Sequence, residues 1–285
     1  MIINRNFIDQ LLEAFYESFN NEKDWCEVSG LNPDIEIYGK HKYQKLYALK
    51  YLPAYYFEYC ILASKLYTRL CKNEQDNISV ASLGCGLSPD YYALQHNLMD
   101  KNFTYHGYDA YEWKMQELMP QVEDNYNFIW KSIRRLDESK ISQYDVFIFP
   151  KSIGDINDSS KLYTPSIDLI EQFANVLAKT SKNRIYFLNS YVSKDFQNTP
   201  HVKLFEKIHN KLLSSGFKST DNYKETFYRG EKGKGLKGID YEFHYNSEYC
   251  IRCEDEDAGC RYCNVIKSPI LTNKFMDFQI LEYTR

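Results

Sequence analysis

Glycine and proline are scarce in this sequence, with 12 glycines and 8 prolines among 285 residues, so glycines that cluster carry more information than usual. No stretch approaches the roughly 18 uncharged apolar residues that a membrane-spanning helix needs. Arg5 and Asp9 interrupt the N-terminal stretch, where a secretory signal peptide keeps a long apolar run. We find no internal repeat, coiled-coil heptad or long disordered linker. We therefore expect a soluble, cytoplasmic protein with no membrane partner.

The net charge is also small, at −4 with a pI near 5.9, which excludes a chain that binds nucleic acid over its whole surface but leaves room for a local basic patch. Hydrophobic residues make up 44% and charged residues 26%, as in folded soluble proteins, so wholesale disorder is excluded. The length suits one large domain or two small ones.

The first 75 residues have a helical and aromatic pattern. Phe7, Leu11 and Phe15 recur every four residues, which is the spacing of one helix face, and a second helix is expected from Pro53. Such a stripe either packs into the core or lines a ligand pocket, and we interpret these side chains as part of the core. We predict a helical extension over residues 1–75 that covers the pocket of a second unit, residues 76–285.

After Asn77 short β-branched or aromatic runs alternate with helical patterns, which predicts an α/β fold with a mostly parallel sheet. The expected strands are 78–84, 103–109, 126–133, 144–150 and 184–192, followed by a C-terminal antiparallel hairpin of 223–229 and 275–285. The expected helices are 89–99, 111–120, 163–180 and 200–215.

The strongest local motif is VASLGCGLSPDYYAL at 80–94, where a strand enters a turn with Gly84 and Gly86. Ser88, Pro89 and Asp90 then have the pattern of an N-cap, a first-turn proline and a first-turn acid. Glycines at such a turn allow a ligand to approach the backbone, and the helix N-terminus offers amide donors. The motif predicts a nucleotide-type binding turn.

An acidic residue follows at the end of the next expected strand. Asp109 lies 23 positions after Gly86, where a carboxylate can hold both hydroxyls of a ribose. A solvated strand-end acid or a helix cap is the alternative interpretation.

With these residues, the stretch from about 78 to 215 resembles the class I S-adenosylmethionine-dependent methyltransferase superfamily, which has a Rossmann-like fold. The resemblance implies that Gly84, Cys85 and Gly86 carry S-adenosylmethionine and that Asp109 binds its ribose. It also implies a sheet that ends with one reversed strand. Asp137 would then contact the adenine, although it can equally be a surface acid.

The loop FPKSIGD at 149–155 follows the fourth expected strand, where the resemblance places the catalytic loop. Lys151, Ser152 and Asp155 are its candidate catalytic residues. Methyl transfer needs alignment of the acceptor and a base if the acceptor carries a proton. Asp155 would be that base, and Ser152 or Lys151 would orient the acceptor. Alternatively, Ser152 caps the next helix and Lys151 is solvated.

Four cysteines within fourteen residues form two Cys-x-x-Cys pairs separated by six residues. They are Cys250, Cys253, Cys260 and Cys263. Two such pairs can complete a tetrahedral zinc site with no open position, which predicts a structural zinc in an insertion at 230–270. An iron–sulfur cluster uses the same ligands, and disulfides or free thiols stay open as well.

A basic, glycine-rich loop precedes these cysteines, with the sequence RGEKGKGLKG at 229–238. Together with the metal module it predicts a contact with RNA or protein, although a plain surface loop fits equally and the acidic run at 254–257 would repel a polyanion.

The expected function is methyl transfer from S-adenosylmethionine to an acceptor that the sequence does not identify. Ser82 and Ser88 stand where the superfamily often has an acid and a third glycine. Because of these differences, one alternative is a non-catalytic binding or regulatory protein that keeps the fold and docks RNA or protein through its zinc module. Another is an enzyme that uses the same cofactor for different chemistry, since a fold fixes binding better than reaction.

Overall fold

The structure is a computed structural model that describes residues 1–18, 37–136, 138–163, 167–192, 200–221, 228–229 and 276–285. Eight strands within these residues form one mixed sheet. They are β1 (Asn77–Leu83), β2 (Asn102–Asp109), β3 (Tyr126–Trp130), β4 (Val146–Pro150), β5 (Arg184–Val192), β6 (Lys218–Ser219), β7 (Tyr228–Arg229) and β8 (Met276–Thr284).

The sheet has the order β3-β2-β1-β4-β5-β8-β6, and β7 also pairs with β8. Strands β1 to β5 are parallel, whereas β8 runs antiparallel to β5. The predicted α/β class, the mostly parallel sheet and the reversed C-terminal strand are therefore confirmed, and this is the methyltransferase-like fold that the resemblance implied.

Eight α-helices lie within the described residues. They are α1 (Arg5–Glu17), α2 (His41–Lys50), α3 (Leu52–Lys72), α4 (Pro89–Asn97), α5 (Glu138–Ile141), α6 (Ile153–Tyr163), α7 (Leu169–Leu177) and α8 (Pro200–Ser214). Short 3-10 turns cover Ile37–Gly39, Lys114–Leu118 and Ile133–Arg135. In the described residues no helix is long and apolar enough to cross a membrane.

The helix predicted at 111–120 is wrong, because only the 3-10 turn Lys114–Leu118 forms there. The side chain of Gln44 explains the difference. Its amide nitrogen donates to the carbonyl of Glu112 at 2.9 Å, and its oxygen accepts from the backbone N–H of Met115 at 3.4 Å. These bonds satisfy backbone groups that an α-helix would otherwise pair internally.

One hydrophobic core lies on each face of the sheet. Helices α1 to α4 pack on one face, and the core there includes Phe7, Leu11 and Phe15, so the interpretation of this stripe as core is confirmed. Helices α7 and α8 pack on the other face, with Phe173 and Phe205 among the buried residues. The N-terminal helices share their core with β1 and β4. The division of the chain at residue 75 stays a prediction.

The parallel register brings the carboxyl ends of the central strands to one edge. Leu83 at the end of β1 pairs with Tyr108 of β2, and Ser82 pairs with Ile148 of β4. The segments that follow β1, β2 and β4 therefore emerge side by side, and in α/β sheets this edge is where ligands bind.

Candidate functional site

The glycine turn after β1 is held by β2. Gly84 and Gly86 have φ values of +72° and +57°, a backbone region that side-chain-bearing residues avoid. The backbone N–H groups of Gly84 and Cys85 both donate to the carbonyl of Tyr108, at 2.7 and 3.2 Å. A Cβ atom at Gly84 would lie 2.5 Å from the Cβ of Ser152, so glycine also allows the β4 loop to pack against the turn.

Polar side chains fix the far end of this turn. Ser88 occupies the N-cap position of α4 with φ of +55°, but its hydroxyl does not cap the helix. Instead it lies 3.0 Å from the hydroxyl of Tyr126, which donates to Gln116 at 2.5 Å. The Gln116 amide in turn donates to the carbonyl of Gly86 at 2.9 Å. Pro89 does begin the helix, as predicted.

Asp109 ends β2 and faces the glycine turn. Its Oδ2 accepts the backbone N–H of Gly86 at 3.0 Å, and its Oδ1 accepts that of Tyr111 at 2.9 Å. The residue is only 8% exposed, and burial raises the pKa of its carboxyl group even though these two N–H groups act in the opposite direction. The alternative of a fully solvated acid at this position is therefore wrong.

Aromatic rings from the N-terminal helices and from the loop after β2 cover the turn. We call Tyr38, Tyr47, Tyr111 and Trp113 the aromatic cover. The Trp113 ring lies 5.2 Å from that of Tyr47 and 6.0 Å from that of Tyr38, and Tyr38 lies 6.3 Å from Tyr111. A Cβ atom at Gly86 would lie 3.3 Å from Trp113, so the cover rests directly on the turn.

Lys151 directly follows β4 and reaches the N-terminal helix α3. Its ammonium lies 2.8 Å from Oε2 of Glu58 and 4.6 Å from the ring centre of Tyr55. The same Glu58 oxygen accepts the hydroxyl of Ser190 at 2.9 Å. Burial lowers the pKa of Lys151, whereas the Glu58 carboxylate acts to raise it. Lys151 is thus held in a buried ion pair, so the alternative of a solvated lysine is wrong.

Ser152 is buried and holds the β4 loop to β1. Its hydroxyl donates to the carbonyl of Leu83 in a short hydrogen bond. Helix α6 begins at the next residue, and the N–H of Ile156 donates to the carbonyl of Ser152 at 2.9 Å. The hydroxyl therefore does not cap this helix, and Ser152 supports the turn at Gly84. Its role in orienting a methyl acceptor stays a prediction.

Asp155 lies in the first turn of α6 and reaches solvent. Enough protein surrounds its carboxyl group that burial raises its pKa to about 6, and the nearby Asp158 and Asp109 carboxylates act in the same direction. The hydroxyl of Tyr38 donates to Oδ2 of Asp155 at 3.3 Å, which links the aromatic cover to the β4 loop.

The sheet edge thus brings together most of the predicted site. Gly84, Gly86, Asp109, Lys151 and Asp155 lie on adjoining segments, with Cys85 and Ser152 buried between them. Asp137, the four cysteines and the loop at 230–238 lie outside the described residues, so the predictions for them stay predictions. Among the residues that the structure does describe, no group of three or more histidine, cysteine or acidic side chains is arranged to hold a metal ion.

Two important residues were missed in the sequence. Glu58 is the one acid in the apolar run LPAYYFEYCILA, and an acid on the buried side of a helix was a usable signal. Tyr38 had no such signal, because it is one tyrosine among 26 and its partner Asp155 is 117 positions away.

No family model matches the sequence, and no curated protein matches it. The plantazolicin methyltransferase BpumL, solved with S-adenosylhomocysteine, is 11% identical over 98% of this chain and 99% of its own, with a TM-score of 0.47. A 1,6-didemethyltoxoflavin-N1-methyltransferase of Burkholderia thailandensis, bound to S-adenosylhomocysteine, is 9% identical over 80% of this chain and 78% of its own, with a TM-score of 0.42.

A third solved structure is the precorrin-6y C5,15-methyltransferase of Geobacter metallireducens. It is 8% identical over 74% of this chain and 81% of its own, with a TM-score of 0.38. Likenesses of this size do not assign a reaction or a substrate to this chain. Its function must be inferred from its own residues.

Proposed function

We propose that this chain binds S-adenosylmethionine at the carboxyl edge of its sheet and transfers the methyl group to a small or macromolecular acceptor. The observation that carries the proposal is the hydrogen bond between the Asp109 carboxylate and the backbone N–H of Gly86. It supports the proposal because a carboxylate suited to a ribose diol lies against the glycine turn.

The residues fit this cofactor in three respects. A carboxylate has about four lone-pair positions, so Asp109 can accept ribose hydroxyls in addition to the backbone donors of Gly86 and Tyr111. Gly84 and Gly86 adopt positive φ, which gives the turn its shape. The aromatic cover adds apolar surface beside the turn, as expected for a mostly apolar ligand site.

The bound cofactor supplies a methyl group on a positively charged sulfur. The protein then has to orient the acceptor, exclude water and, where the acceptor carries a proton, remove it. Asp155 is our candidate for the base. With a pKa raised to about 6, it is ionised at neutral pH and yet more basic than an ordinary carboxylate. Tyr38 orients it, and Ser152 keeps the loop against the turn.

Calorimetric titration with S-adenosylhomocysteine tests the cofactor site. We expect micromolar binding to the wild type and a loss of about tenfold to a hundredfold in Asp109→Asn, because a hydrogen bond to a charged group is removed. Asp145→Asn is the matched control. Asp145 is also 8% exposed, but it binds Ser79 and Lys182 beside the first residues of β4, away from the glycine turn.

Equal affinities of the Asp109 and Asp145 variants would contradict the proposed role of Asp109. If S-adenosylhomocysteine did not bind to the folded wild type, the proposed enzyme function would be contradicted. A non-catalytic binding protein would then be the better description. Binding without turnover of the cofactor in any acceptor mixture would favour that alternative too.

We also propose that the four cysteines bind zinc, on the support of their spacing alone. Cys250, Cys253, Cys260 and Cys263 offer four thiolates, which suit a closed structural site. Elemental analysis should find one zinc per chain in a colourless protein, and Cys260→Ser should lose it while Cys71→Ser, a change at an exposed cysteine, should not. A brown, iron-containing protein would favour the cluster, and a metal-free reduced protein would contradict both.

A further inference from the structure

Lys151 has a backbone conformation that favours glycine. Its φ is +60°, in the left-handed region, and its N–H bonds back to the carbonyl of Phe149 at 2.7 Å. A side-chain-bearing residue in this region is under steric strain, and such strain concentrates at ligand-binding and active sites. The position would be easier for glycine, which indicates that the lysine side chain is used.

That side chain is clamped by the N-terminal helix α3. Glu58 and Tyr55 are one helical turn apart on α3. The Glu58 carboxylate lies 2.8 Å from the Lys151 ammonium, and the centre of the Tyr55 ring lies 4.6 Å from it. Ser190, at the end of β5, donates to the same Glu58 oxygen at 2.9 Å. The ammonium is therefore fixed from two directions rather than left to sample rotamers.

Stability alone does not account for this ion pair. Glu58 is fully buried and the Lys151 side chain is 10% exposed, so both charges have lost most of their hydration. Buried ion pairs of this kind are often replaced by apolar residues without loss of stability. A buried, pre-oriented cation beside a ligand-binding edge is more readily explained by a ligand with an anionic group.

The segment that carries Lys151 packs against the glycine turn through its next residue. The Cβ of Ser152, the residue after Lys151, lies 2.5 Å from where a Cβ atom at Gly84 would be, and its hydroxyl donates to the carbonyl of Leu83. In the proposed cofactor, the end opposite the adenosine is an amino acid with one carboxylate and one ammonium. With Asp109 on the ribose, the strand order β2-β1-β4 would bring that end past the turn after β1 toward β4.

We propose that Lys151 binds the carboxylate of the cofactor's amino-acid end and that Glu58 is the positioning residue that holds it there. This inference rests on the proposed function. It gives the N-terminal helix a part in cofactor recognition, since Glu58 and Tyr55 both belong to α3. Lys151 is then a cofactor ligand and not, as the sequence suggested, a residue that orients the acceptor.

Three ligands separate the parts of this site by calorimetry. S-adenosylhomocysteine has both charged groups, its decarboxylated analogue keeps only the amine, and 5′-methylthioadenosine has neither. Lys151→Met should weaken the binding of S-adenosylhomocysteine by about tenfold to a hundredfold, because it removes a charge-assisted hydrogen bond to the ligand carboxylate. It should leave the other two ligands unchanged, because they offer Lys151 no carboxylate.

Glu58→Gln should also weaken the binding of S-adenosylhomocysteine and leave that of the other two ligands unchanged. The double variant Glu58→Gln/Lys151→Met should bind S-adenosylhomocysteine no more weakly than Lys151→Met, because Glu58 acts through Lys151. A purely structural role for Glu58 would weaken all three ligands alike. Lys182→Met is the matched control, since Lys182 also pairs with a carboxylate, Asp145, at 2.8 Å. It should change none of the affinities.

Retention of S-adenosylhomocysteine affinity in Lys151→Met would overturn the inference, while unchanged binding of 5′-methylthioadenosine would keep the proposed function intact. Equal or tighter binding in Glu58→Gln would overturn the positioning role. If the folded wild type bound none of the three ligands, the proposed function would fail, and this inference with it.

Discussion

The close approach of the β4 loop to the glycine turn makes Gly84→Ala a sharp test of the packing at the site. An alanine there would have to keep φ at +72°, and its Cβ would lie 2.5 Å from the Cβ and 3.0 Å from the hydroxyl of Ser152. Ser152 cannot move freely, because it is buried and bonded to Leu83.

The expected loss has two parts. Left-handed backbone at a residue with a Cβ costs about 1–2 kcal/mol. Forcing an extra methyl group into a packed contact adds about 1–3 kcal/mol. We therefore expect the free energy of unfolding to fall by about 2–5 kcal/mol. Gly216→Ala isolates the first part, because Gly216 has φ of +91° but nothing lies within 4 Å of its Cβ position.

Urea unfolding of both variants measures this difference. Gly84→Ala should lower the midpoint more than Gly216→Ala, with an unchanged denaturant dependence. Ser152→Gly removes the clashing Cβ but also the bond to Leu83, so the double variant should lose less than the sum of the losses of Gly84→Ala and Ser152→Gly. Equal losses for the two glycine variants, or additive losses in the double variant, would contradict a steric cost at Gly84.

Asp155 and Asp90 both have a raised pKa, and each gives a pH-dependent prediction. Carbon-detected NMR should give Asp155 a pKa of about 6, and Tyr38→Phe should raise it further, because the lost hydroxyl stabilises the carboxylate; an ordinary or lower value in that variant would contradict the contact. Burial raises the pKa of Asp90 from 3.8 to about 6, so the folded state holds its proton more tightly than the unfolded state. This contribution is complete below pH 3.8 and is lost as the pH rises through 6. Relative to Asp90→Asn, the wild type should therefore lose about 3 kcal/mol of unfolding free energy between pH 4 and 7, and parallel profiles of the two proteins in urea would contradict this.

The glycine turn and the acid beside it could be predicted from the sequence because their signals are local. Gly84, Gly86 and Asp109 sit at strand ends that are defined by short apolar runs and by the helix start at Pro89. Their geometry then follows from the parallel register of β1 and β2. These elements depend on residues within about 30 positions of one another.

The contacts of Lys151 and Ser152 in the β4 loop depend instead on parts of the chain that are distant in sequence. Glu58 meets Ser190 across 132 positions, and the Ser152 hydroxyl reaches Leu83 across 69. Helix α6 was missed because its sequence, IGDINDSSKLY, is rich in residues that favour turns. Local periodicity contains no information on such tertiary pairs, so a solvated Lys151 stayed open in the sequence where the structure has a buried ion pair.

A crystal structure with bound S-adenosylhomocysteine would show whether this sheet edge holds the cofactor. We expect both ribose hydroxyls within hydrogen-bond distance of the Asp109 carboxylate, with the ligand lying along Gly84 and Gly86 and its sulfur facing the β4 loop. A ligand bound elsewhere, or one whose ribose makes no contact with Asp109, would contradict this expectation.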